Sequence, residues 1–136
     1  MRPVVVICLS LLVSLVFVGC SLTAVSGGKE IFIEAGERDG ELYFEPDVVT
    51  VPVGARVTFV IKNVGKVDHE FESIEKGEAG IEEIIIPPGR TRKVTWTAPS
   101  EPTSYPVYCD LPGHRAAGME FRLVVVDDAD SGESSP

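Results

Sequence analysis

Apolar and polar residues alternate over short stretches along most of this chain. Val57, Phe59 and Ile61 fall on one face of a two-residue period, with Thr58 and Lys62 on the other. Val94 and Trp96 share a face opposite Lys93, Thr95 and Thr97, and Phe121, Leu123 and Val125 stand against Glu120 and Arg122. β-branched and aromatic residues fill these runs, and Gly or Pro separates them. The pattern predicts strands at Lys29–Ala35, Glu41–Phe44, Val48–Val53, Arg56–Asn63, His69–Ile74, Glu82–Ile86, Thr91–Thr97, Tyr105–Cys109 and Glu120–Val126. Pro52-Val53-Gly54 and Pro87-Pro88-Gly89 read as turns between them. No window has both the period and the length of a helix, although Glu75–Glu83 has room for one short turn. So many short strands predict an all-β sandwich or barrel.

The N-terminus follows a different pattern. Arg2 precedes an apolar run from Val4 to Val18, long enough for the core of an export signal and short for a membrane span. Phe17-Val18-Gly19-Cys20 resembles a bacterial lipobox, in which a small residue precedes a Cys that takes up lipid; Phe17 stands where Leu is usual. A plain secretory signal and an uncleaved anchor are the alternatives, and all three put the rest of the chain outside the cytoplasm. The expected organisation is a lipoprotein-type signal peptide at 1–19, a small polar tether at 20–28 that reaches about 25 Å when extended, one domain at 29–127, and an acidic, Ser-rich tail at 128–136. Cleavage before Cys20 would leave eleven basic against twenty-one acidic residues, a net charge of −10. Cys20 would then carry lipid, and Cys109 would be the sole free thiol in an oxidising compartment.

Composition narrows the function. The 136 residues allow one domain of ordinary size, and a formal charge of −9 argues against nucleic acid as a partner. Beyond the signal, the chain holds one free thiol, two imidazoles and one thioether. Three of these lie within eleven residues, as Cys109-x4-His114-x4-Met119, and the fourth, His69, lies 40 residues before Cys109. Two neutral imidazoles, a thiolate and a weak thioether suit a copper ion that alternates between two charge states. Zinc would accept Cys and two His but gains little from Met119. Calcium and magnesium want oxygen ligands. Pro112-Gly113 can turn the chain between the thiolate and His114, and Gly118 can turn it again before Met119.

With these residues in view, the sequence resembles the cupredoxins, the family of plastocyanin, azurin, rusticyanin and auracyanin. Phe44-x-Pro46, Val51-x-Val53-Gly54, Val57-x-Phe59, Asn63-x-Gly65, His69-x-Phe71 and the Cys109–Met119 loop carry the resemblance, and the loop spacing is closest to auracyanin and rusticyanin. The resemblance implies an eight-stranded Greek-key β-sandwich and one-electron transfer at one mononuclear type 1 copper. It implies His69, Cys109 and His114 as the strong ligands and Met119 as the axial one. Three positions depart from the family pattern. Glu70 replaces the Asn that follows the first His in plastocyanin and azurin. Arg115 stands where relatives present an apolar patch, and Glu120-Phe121 where a small residue is common. These bear on potential and partner choice.

The expected function is an extracytoplasmic, lipid-anchored, monomeric electron carrier, not an enzyme, that passes electrons through His114 between membrane-associated redox partners such as a cytochrome or membrane complex. The acidic cluster Glu70, Glu72, Glu75, Glu78, Glu82 and Glu83 would either be a solvated face or steer a cationic partner. Copper storage or delivery is the alternative, although no His- or Met-rich tract favours it. A copper oxidase or nitrite reductase needs further His ligands for a second copper, and none are to spare. Trp96, Tyr105 and Tyr108 are expected to pack the core rather than relay charge.

Overall fold

The computed structural model describes residues 28–73 and 80–127. The signal peptide, Cys20, the tail, Glu75 and Glu78 lie outside the described residues, as does most of the tether and of the possible helical turn at 75–83. The strands are β1 (Lys29–Arg38), β2 (Glu41–Glu45), β3 (Val48–Pro52), β4 (Arg56–Asn63), β5 (His69–Phe71), β6 (Ile84–Ile86), β7 (Thr91–Thr97), β8 (Thr103–Tyr108) and β9 (Glu120–Val126). They form one sheet in the order β2-β1-β4-β7, a second in the order β3-β9-β8, and a short β5-β6 pair. The eight strands implied by the resemblance and the nine present among the described residues differ at β2 and β3. Only Pro46 and Asp47 separate those two, yet they pair in different sheets, so they count as one bent edge or as two.

Each sheet turns its alternating apolar face inward. Ile33 and Ala35 of β1, Val57, Phe59 and Ile61 of β4 and Trp96 of β7 meet Val49 and Val51 of β3, Tyr105 and Val107 of β8, and Phe121, Leu123 and Val125 of β9. Trp96, Tyr105 and Tyr108 are buried, as the sequence suggests. Phe71, fully buried, sits at the centre of an aromatic group, its ring 5.7 Å from Phe44, 5.4 Å from Phe59 and 5.6 Å from Phe121. Such offset and edge contacts add to the area each ring removes from water. Because Phe71 is two residues from His69, this core fixes the strand that carries a candidate ligand.

Six strands differ from their predicted spans: β2, β3 and β6 by one or two residues at one end, and β1, β5 and β8 for local reasons. β1 runs three residues beyond Ala35 because Asp39 and Gly40, both at positive φ (55° and 89°), turn it into an antiparallel hairpin with β2. β5 ends at Phe71, and Ile74, the predicted end, lies outside the described residues. The next residue, Glu72, leaves β6 and exchanges backbone hydrogen bonds with Tyr108 of β8 at 3.2 and 2.9 Å. β8 ends before Cys109, whose N–H bonds to Met119 O (3.1 Å) instead of continuing the ladder. Pro106 is tolerated because β8 is an edge of its sheet. The predicted turns are present, with Gly54 (φ 67°) and Gly89 (φ 70°) in the left-handed region that glycine adopts without strain.

Candidate metal centre

His69, Cys109 and His114 converge at one end of the sandwich, although 45 residues separate the first from the last. One ligand atom from each lies within 4.8 Å of the others. Cys109 Sγ is 3.3 Å from His114 Nδ1, and the two imidazole rings are 5.4 Å apart, inclined by 65°. Cys109, His69 and Met119 are fully buried, and His114 is half-buried.

The loop from Cys109 to Met119 closes on itself. His114 N–H bonds to Leu111 O (3.0 Å), and Met119 N–H bonds back to His114 O (3.1 Å). The Cys109–Met119 backbone bond shuts the ring. Between them Arg115–Ala117 form one 3-10 turn, the only helical turn among the described residues, at a place with no helical period in the sequence. Gly118 ends it in the left-handed region (φ 101°), and a Cβ there would also press Leu42 O at 3.2 Å. The loop therefore needs glycine at 118 on two grounds.

His69 is held from outside its own segment. It opens β5 opposite Ile86 of β6. Asn63, buried at the end of β4, donates to Ile86 O and to Val67 O, both at 2.7 Å, and accepts from Gly65 N–H at 2.8 Å. Glu37, at the end of β1, accepts from the backbone N–H groups of Lys66 (3.0 Å) and Val67 (3.2 Å). Asn63 belongs to a stretch that the sequence marks without revealing its role. Glu37 carries no local signal at all, because its partners lie about thirty residues further along the chain.

Burial governs the electrostatics of His69 and Cys109. Both ring nitrogens of His69 are buried without a hydrogen-bond partner. Burial pushes its pKa down; the Glu37 carboxylate opposes this, His114 adds to it, and Asp68 opposes it. A neutral imidazole with a free lone pair is what a metal requires. Burial likewise pushes the Cys109 thiol up, against the backbone N–H groups of Glu70 and Leu111 that stabilise its thiolate and alongside the charges of Glu70 and Asp110. The Glu70 N–H lies 3.2 Å from the sulfur. A buried thiol beside two imidazoles, with unpartnered nitrogens and a buried thioether on the same loop, fits one type 1 copper ion.

The three departures from the resemblance also find their places. The backbone of Glu70 meets the sulfur, and its carboxyl is pushed up by burial, then by the charges of Glu83, Glu72 and Asp110. Arg115 lies over the Tyr108 ring, 4.0 Å from its centroid, and its Nε donates to Glu120 Oε2 at 2.7 Å. The second and third departures are thus partners in one ion pair.

The family model for the cupredoxin-like domain matches residues 9–124. The chain is 26% identical to the copper-resistant cuproprotein CopI of Pseudomonas aeruginosa, over 63% of this chain and 72% of that protein. It is 32% identical to the plastocyanin of Mercurialis perennis, over 66% of this chain and 94% of that one. Its fold superposes on auracyanin A, a blue copper protein of Chloroflexus aurantiacus, with a TM-score of 0.58 and 28% identity, over 71% of this chain and 99% of that one.

Proposed function

The chain belongs to the cupredoxin-like domain family, and from that premise we propose that it is a type 1 copper electron carrier working outside the cytoplasm, with His69, Cys109, His114 and Met119 as the ligands. The observation that carries this reading is the convergence of a buried thiol and two imidazoles within 4.8 Å, with both nitrogens of one ring unpartnered. Copper, when bound, supplies one-electron chemistry at a single ion. The protein's own residues do the rest. The sandwich fixes His69 in advance, and the closed loop fixes Cys109 and His114, so the donors move little when the charge of the site changes. Half-buried His114 is the route to a docked partner. The chain has two His in all, both used here, which leaves no donors for the second copper of an oxidase or nitrite reductase.

The partner in this reading is a redox protein or membrane complex with a cationic face. The support is the group of Glu70, Glu72, Glu83 and Asp110 beside the loop, close enough to hold the Glu70 carboxyl up. A lipid on Cys20 would keep the monomer at the membrane. A second reading, copper storage or delivery, is favoured by the likeness to CopI. Repeated redox cycling against a copper chelator separates the two, because a carrier retains its ion and a delivery protein loses it.

The decisive experiment is a visible spectrum of the copper-loaded protein beside Cys109→Ser. An intense blue band that bleaches on reduction and vanishes in the variant is expected. A colourless oxidised wild type would remove the reading.

A further inference from the structure

His69 needs a second partner. One of its nitrogens serves copper; the other carries a proton in a fully buried place, where an N–H without an acceptor costs about 1–3 kcal/mol. Glu37 Oε1 lies 3.7 Å from His69 Nε2. That is about 0.8 Å beyond hydrogen-bond length. Glu37 is not among the residues whose donor atoms cluster within 4.8 Å, and the ring nitrogen it approaches is Nε2. Nε2 therefore faces Glu37, and Nδ1 is the nitrogen left for the metal.

The carboxylate has a built seat. Lys66 and Val67 donate backbone N–H groups to it, and only 26% of its side chain is exposed. A Cβ at Gly65 would overlap it, so the glycine keeps the seat open. Glu37 thus binds the loop that leads into His69 and presents a negative charge to that ring through a partly desolvated path.

We propose that Glu37 is the positioning residue for His69, holding the Nε2–H tautomer that frees Nδ1 and making that nitrogen a stronger donor to copper(II). The proposal rests on the copper reading above. A carboxylate behind a metal-bound imidazole raises its basicity, and loss of such a partner weakens metal binding by about 10–100-fold. The gain favours the more highly charged ion, so the charge of Glu37 lowers the reduction potential of the site.

Glu37→Gln removes the charge and keeps the size. In copper-loaded full-length protein it is expected to weaken copper(II) relative to copper(I) by about tenfold, raising the potential in a redox titration by about 59 mV. A blue Glu37→Gln protein with an unchanged potential overturns the proposal and leaves the copper reading standing. A wild type that binds copper without colour overturns the reading beneath it. A purely structural role would lower the melting temperature of the variant and leave the potential where it was. A second measurement needs neither copper nor variant. Nitrogen-15 NMR of the copper-free chain should find the His69 proton on Nε2, and a proton on Nδ1 overturns the proposal even if Glu37→Gln fails to fold.

Discussion

Residues 109–119 carry three of the four candidate donors and are held largely by bonds among themselves, from Cys109 to Met119, Met119 to His114 and His114 to Leu111. The segment from Val64 to Phe71 brings one donor and is held from elsewhere: by Glu37 of β1, Asn63 of β4, Ile86 of β6 and the aromatic core around Phe71. The loop is a local object whose geometry follows from turn residues close in sequence. The arm is a product of the whole fold. Its donor is in place only when two sheets have packed, which makes the copper site as dependent on core stability as on ligand chemistry.

That contrast can be broken most forcefully at Phe71. Phe71→Ala empties the middle of the aromatic group and should lower unfolding free energy by about 3–5 kcal/mol in a denaturant titration. Copper affinity should fall with it; a variant that loses the stability yet binds copper as before would show that the arm does not depend on the core. Asn63→Ala strips Ile86 O, Val67 O and Gly65 N–H of their partner and should cost about 2–3 kcal/mol. Amide exchange should then speed up in residues 64–69 and stay slow in 109–119. Gly118→Ala probes the other side. With φ at 101° and Leu42 O close by, it should cost about 1–2 kcal/mol and alter the visible spectrum, with the exchange of residues 64–69 untouched.

The mildest test is pH. Burial holds the Cys109 thiol protonated through neutrality, so copper must displace that proton, whereas His69, pushed down, is already neutral and releases none. Apparent copper affinity should therefore rise with pH, by about tenfold between pH 7 and 8. A flat profile would mean that the thiolate is formed in advance.

The same contrast explains what the sequence discloses. The strands are readable wherever one face is buried and the other wet, as in Arg56–Asn63 and Glu120–Val126. The loop is readable because its donors and turn residues are neighbours. The 3-10 turn at Arg115–Ala117 is too short for any period to reveal. The parallel pairing of β1 with β4, and of β3 with β9, joins residues far apart in sequence and is decided by how the sheets stack. Glu37 is hidden for the same reason. It sits in a strand as one charged residue among several, and its importance comes from a backbone that returns to it about thirty residues later.

The parallel register of β1 and β4 also fixes where the chain enters the sandwich. Lys29 pairs with Val57 and Ala35 with Asn63, so the chain enters at the base and climbs toward the candidate ligands. β9 descends from Glu120, beside Met119, to Val126 at the 52–54 turn. Entry and exit therefore share the foot of the sandwich, about 20–25 Å below the summit where His114 emerges. A partner that reaches that summit therefore meets the domain at the end opposite the chain's entry and exit.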